Sequence, residues 1–88
     1  MKELKITLKN ETGLHARPAS ALVKAAQKYD SEVKILKDGD LYNAKSMMSI
    51  LSMGASKGTV LTFQIEGSDE EKALIDIKDM INTNFGEK

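Results

Sequence analysis

The 88-residue sequence contains no cysteine and no tryptophan, one proline, one histidine and only four aromatic residues, Tyr29, Tyr42, Phe63 and Phe85. Without cysteine there is no disulfide framework and no thiolate for catalysis or metal binding. So few aromatics, together with a formal net charge of zero, argue against a nucleic-acid surface, which needs a basic face and, on a sheet, paired stacking aromatics. No apolar run approaches the length needed to span a bilayer. The opening Met1-Lys2-Glu3-Leu4-Lys5 alternates charge where a signal peptide needs an apolar stretch, so the expected setting is the cytoplasm, with no membrane partner.

What the chain does have is 41% hydrophobic residues, enough for one core. Residues 1–88 are read as a single domain, too small to enclose a large substrate cavity, so any substrate is met at the surface. The zero net charge hides an asymmetry: residues 1–45 hold nine Lys/Arg against six Asp/Glu, and residues 46–88 hold four against seven, giving +3 and −3. A modest basic patch of this kind suits an acidic protein partner.

The hydrophobic period switches between two and 3.6 along the chain. Leu4, Ile6 and Leu8 alternate with charged or hydroxyl residues, a strand with one buried face. Ala19, Leu22, Ala26 and Tyr29 form the core stripe of a helix from about 16 to 28, with Arg17, Ser20, Lys24 and Gln27 on its outer side. Val33 and Ile35 start a second strand, and Asp38-Gly39 turns it into a third around 41–43. Ser46 is placed as the N-cap of a short helix that Gly54 ends. A fourth strand over about 59–66 carries Leu61, Phe63 and Ile65. Ser68-Asp69-Glu70-Glu71 reads as a capping box for a last helix with Leu74, Ile77 and Ile81 on one stripe. The order β-α-β-β-α-β-α, with half-buried strands, predicts an α+β fold: an open-faced two-layer sandwich with helices on one face of the sheet.

The only histidine lies in Gly13-Leu14-His15-Ala16-Arg17-Pro18-Ala19, a glycine turn opening into a helix. A helix start leaves backbone N–H groups unpaired and carries the positive end of the dipole, so it favours an anion. Imidazole titrates near pH 6.5 and is therefore largely a neutral nucleophile at pH 7. A cation in the first turn opposes the dipole at a cost of about a few tenths of a kcal/mol, so Arg17 is better explained by an arriving anion, whose oxygens it can grip. Ala16 is too small to obstruct a partner, and Pro18 lacks a donor where the first turn needs none. A lone histidine at a helix start is ordinarily a surface or capping residue; here the surrounding motif points to holding a phosphoryl group. Thr12 is open to two readings, a hydrogen-bond donor to that group or a turn-stabilising hydroxyl.

Together with Lys45-Ser46-Met47-Met48-Ser49-Ile50-Leu51-Ser52-Met53-Gly54, the histidine motif resembles the HPr family, the histidine-containing phosphocarriers of the bacterial phosphoenolpyruvate-dependent sugar phosphotransferase system, in its Gram-positive type with a regulatory serine. The resemblance covers essentially the whole chain. It implies a carrier and not an enzyme: enzyme I passes phosphoryl from phosphoenolpyruvate to Nδ1 of His15, with Arg17 stabilising it, and a sugar-specific IIA domain removes it. It also implies an antiparallel sheet in the order 1-4-2-3 with three helices on one side, no cofactor or metal, and a monomer.

Ser46 has two readings. As a plain N-cap it is worth about 1 kcal/mol. The resemblance adds phosphorylation by the ATP-dependent HPr kinase/phosphorylase in carbon catabolite repression, with docking to a catabolite-control transcriptional regulator and no direct nucleic-acid contact. Flexible thioethers suit a surface that accepts several partners. The expected docking patch is Met47, Met48 and Leu51, with Met53 at its edge or in the core beside Ile50. The resemblance extends the partner-binding surface to Thr12, Ala16, Ser20, Lys24, Gln27 and Gly54. An alternative reading is a regulatory binding module acting mainly through Ser46. Gly54-Ala55-Ser56-Lys57-Gly58-Thr59 lacks the residue order of a phosphate loop and is read as a turn.

Overall fold

A computed structural model describes residues 1–9 and 11–86. Its elements are β1 (Lys2–Thr7), α1 (Ala16–Gln27), β2 (Glu32–Lys37), β3 (Asp40–Asn43), α2 (Met47–Met53), β4 (Val60–Glu66) and α3 (Glu70–Asn82), followed by a single 3₁₀ turn, Asn84–Gly86. The four strands form one antiparallel sheet in the order β1-β4-β2-β3. This is the expected α+β sandwich. None of the described helices is long and apolar enough to cross a membrane.

Period two in the strands decides the layers. β4 sends Leu61, Phe63 and Ile65 to the helical side, all fully buried, and Val33 and Ile35 of β2 join them. Register places Ile35 opposite Phe63 and Phe63 opposite Leu4, so one apolar row runs across the sheet. The helices close over it with Ala19, Leu22 and Ala26 from α1, Ile50 and Met53 from α2, and Ala73 and Ile77 from α3. The β2–β3 hairpin pairs Lys37 with Asp40 across Asp38 and Gly39, whose φ angles of 52° and 85° match the right-handed twist of the strands.

The structure corrects three details. Leu4 and Ile6 are only half-buried because β1 is an edge strand; Leu8, just beyond it, is the residue that reaches the core. On α3 the buried positions are Ala73 and Ile77, while Leu74, Met80 and Ile81 pack half-buried at the margin. The capping box does not form around Ser68. Asp69 is the N-cap residue, but its carboxylate accepts the Asp30 and Ser31 N–H groups, each at 2.9 Å, and the Ser31 hydroxyl. A tertiary set of donors outcompetes the local one, and α3 is thereby clipped to the start of β2. The Ser31 hydroxyl, then the Asp30 N–H, holds the Asp69 carboxyl below the usual range. Glu70 accepts the Gly67 N–H at 3.2 Å, which lowers its carboxyl as well.

Tyr29, expected to end the α1 core stripe, is half-buried. Its hydroxyl donates to Asp76 Oδ2 at 2.7 Å, and that bond, with burial second, pushes the phenol up.

Candidate functional site

His15 is the N-cap residue of α1, in extended conformation at φ −83° and ψ −171°, and its carbonyl accepts the Ala19 N–H at 2.9 Å. It is exposed, as are Ala16 and Arg17 in the first turn. Pro18 has no N–H to offer, so the amides the first turn can present to an anion are those of Ala16 and Arg17. The first turn of α1 holds no acid, whereas that of α3 holds Glu70 and Glu71. The first turn of α2 holds no acid either, so α3 is the one of these three helices that carries carboxylates at its start, and α1 the one that carries an arginine there. Carboxylates stabilise the start of α3 in the ordinary way, whereas α1 sets the Arg17 guanidinium beside its positive end, an arrangement whose electrostatics favour an anion.

The approach to His15 is fixed by contacts with a distant loop. Gly13 has φ +65°, and a Cβ there would strike the Ala55 carbonyl oxygen and lie 2.6 Å from Ser56 Cα. Leu14 donates its N–H to the Ala55 carbonyl at 2.9 Å and buries its side chain beside Ala19 in the core, a hydrophobic staple across the N-cap. Chain direction at His15 is thus set from both sides, by a backbone that only glycine tolerates and by an anchored leucine.

The second motif folds as expected. Ser46 is the N-cap of α2; its Oγ accepts the Ser49 N–H at 3.2 Å and its carbonyl the Ile50 N–H at 3.1 Å. Gly54 closes the helix at φ 62°, ψ 35°. Ser49 Oγ accepts the Asn43 N–H at 2.9 Å, which ties α2 to the end of β3.

The methionines separate into two roles. Met48 is 81% exposed and Leu51 45%, so together they form an apolar pair on the surface of α2. Met47 is half-buried against the core, and Met53, at 3% exposure, belongs to the core and leaves the docking patch.

Both ends of α2 are attached to α1. At one end the Gln27 side-chain amide donates to the Lys45 carbonyl at 3.0 Å, and Lys45 Nζ to the Tyr29 carbonyl at 2.7 Å. At the other, Ala55, one residue past Gly54, holds Leu14 beside His15. The two helices consequently run in opposite directions, with Gly54 near His15 and Ser46 near the far end of α1, which is about 18 Å long at 1.5 Å per residue. Arg17, Ser20, Lys24 and Gln27 line the outer side of α1 between these ends, though Ser20 is partly covered and Gln27 is engaged in the Lys45 bond. Thr12 is exposed in the turn before Gly13.

Sequence reading missed Leu14, Ala55 and the turn beyond it as parts of the site. Gly13 was the one local signal, and the reason for it lies more than forty residues away.

The family model described as PTS HPr component phosphorylation site matches residues 2–83. The chain is 37% identical to the phosphocarrier protein HPr of Neisseria meningitidis over 99% of its own length and 98% of that protein's. The crystal structure of HPr-C-His from Thermoanaerobacter tengcongensis superposes with a TM-score of 0.96 at 48% identity, covering 100% of this chain and 99% of that one. Crh of Bacillus subtilis, a catabolite repression protein seen as a swapped dimer, superposes at 0.68 with 36% identity, covering 98% and 94%.

Proposed function

Because this chain belongs to the HPr family, the phosphocarriers of the phosphotransferase system, we propose that His15 is the residue that carries the phosphoryl group, taking it from enzyme I and yielding it to a sugar-specific IIA domain. The observation that carries this reading is an exposed histidine at the start of a helix whose first turn contains an arginine and no acid. In the transfer, the Nδ1 lone pair attacks phosphorus in line as the donor's bond to phosphorus breaks. The Ala16 and Arg17 amides and the Arg17 guanidinium take up the negative oxygens. No cofactor enters this scheme; the group arrives already activated. Residues 1–88 act as one cytoplasmic, monomeric carrier.

Met48 and Leu51 form the landing site for both partners, flanked by Met47, Thr12, Ala16, Gly54 and the Ser20–Lys24 side of α1. A patch of this size supports brief encounters, which a relay requires. Ser46 serves as the second modification site, for the HPr kinase/phosphorylase. A phosphate there is compatible with the helix dipole and leaves the fold intact. Ser46 lies at the end of α2 away from His15, so its charge acts on partners seated over α2 and not on the imidazole.

The relay is tested by isolating the phosphorylated protein and mixing it with a IIA domain. The phosphoryl mass should leave this chain and appear on the IIA domain; retention by this chain contradicts a carrier role. Ser46 is tested separately with ATP and the kinase, which should give an acid-stable adduct absent from Ser46→Ala.

The similarity to Crh supports a second role, in which the Ser46-phosphorylated form docks to a catabolite-control regulator. The two roles use different residues. Binding of that regulator should need Ser46 and survive His15→Ala.

A further inference from the structure

The turn between α2 and β4 is wound around the histidine loop. Gly58 donates its N–H to the Leu8 carbonyl and Leu8 donates its own to the Thr59 carbonyl, both at 2.9 Å; Leu14 donates to Ala55, also at 2.9 Å. The turn thus grips the chain on both sides of the segment leading to His15. It is itself stiffened by Thr59, whose Oγ1 accepts the Ser56 N–H at 3.2 Å. Between the two grips, side chains make a further tie: Lys57 Nζ lies 2.7 Å from Glu11 Oε1, four residues before the histidine.

We infer that Lys57 is a positioning residue for phosphoryl transfer at His15, acting through Glu11 on the loop that delivers the imidazole; the inference rests on the carrier reading above. Glu11 and Lys57 side chains are 85% and 51% exposed, so the pair adds little to overall stability. A stability role does not explain why a loop already held at Leu8 and Leu14 carries a third tie. Alignment does. Phosphoryl transfer depends mainly on bringing the attacking nitrogen into line with the donor, and displacements of about 1 Å can cost up to about a hundredfold in rate. The ion pair holds Glu11 between the two backbone grips at Leu8 and Leu14.

The test uses the full chain with phosphorylated enzyme I as donor, following phosphoryl mass on His15 to obtain kcat and KM for this protein as acceptor. The variants are Lys57→Glu, Glu11→Lys and the double reversal. At low salt each single reversal should lower kcat about three- to fivefold, the scale of an exposed ion pair, and the double reversal should restore it. The deficit should shrink in high salt, where the pair is screened in every variant that has it. Both singles slowing together is the decisive sign: they change local charge in opposite directions, so an effect on electrostatic steering would move the rate in opposite directions. Unchanged single reversals, opposite changes, or a double reversal that stays slow would overturn the inference. If the wild-type protein accepts no phosphoryl group at His15, the carrier reading falls and this inference with it. If wild type is labelled normally and the reversals are no slower, only the positioning role is lost.

Discussion

Gly13 and Gly54 share nearly the same left-handed φ, +65° and +62°, but have opposite surroundings, which makes them a matched pair for measuring how tightly the histidine loop is held. An alanine at either position must adopt a left-handed conformation, at a cost of about 1 kcal/mol. At Gly54 a Cβ meets nothing within 4 Å, so that strain is the whole penalty. At Gly13 the Cβ runs into the Ala55 carbonyl and lies 2.6 Å from Ser56 Cα, both backbone atoms that cannot rotate away. Relief requires parting the two loops and breaking the Leu14 N–H bond to Ala55, which leaves a buried donor unpaired at a further cost of about 1–3 kcal/mol. Gly13→Ala should therefore destabilise by about 3 kcal/mol and Gly54→Ala by about 1. For a domain of this size the difference of about 2 kcal/mol corresponds to about 8–16 °C in Tm. Thermal and urea unfolding of both variants measure it. Gly13→Ala should also slow phosphoryl acceptance, since the displaced loop carries His15. Equal destabilisation of the two variants would refute the claim that the Ala55–Ser56 backbone braces the site.

Three further outcomes follow from the packing. Met48→Ala should leave stability within about 0.5 kcal/mol of wild type but weaken enzyme I binding, whereas Met53→Ala should cost about 2–5 kcal/mol, both read by urea unfolding and titration calorimetry. Ser46→Ala should lose about 1 kcal/mol of stability with its N-cap bond, and Ser46→Asp, which can still cap, should recover most of it while weakening docking of partners over α2; unfolding midpoints and binding curves separate the two effects. The Asp69 carboxyl is held low by the Ser31 hydroxyl and the Asp30 N–H, so folding favours its ionised form. The stability it supplies is complete above the ordinary aspartate pKa of about 3.9 and is lost as pH falls through the lower folded value. Urea midpoints measured down to about pH 2 should accordingly fall more steeply for wild type than for Asp69→Asn.

Features written in neighbouring residues were legible in the sequence. Ser46 and Gly54 cap the helix between them because each acts on amides or carbonyls within one turn. His15 and Arg17 share one helical start, so their placement was readable without the fold. Contacts that depend on the topology were not. Asp69 looks like part of a capping box until the turn before β2 arrives beside it with three donors from Asp30 and Ser31, and Gln27 looks like a free polar residue until Lys45 is brought within reach. Met48 and Met53 are the same residue type five positions apart on a short helix; rotation sends one to solvent and the other into the core. The turn after α2 read as a plain connection, and locally it is one. Its hold on Leu8 and Leu14 arises from the antiparallel pairing of β1 with β4, which brings together two loops more than forty residues apart in the sequence.

The central claim, that His15 holds the phosphoryl group, is tested most directly by intact-mass measurement after incubation with phosphoenolpyruvate and enzyme I, followed by mild acid. The wild-type chain should gain the mass of one phosphoryl group and lose it in acid, as a phosphorus–nitrogen bond does, and His15→Ala should gain nothing. Acid-labile labelling of His15→Ala equal to that of wild type would contradict the account.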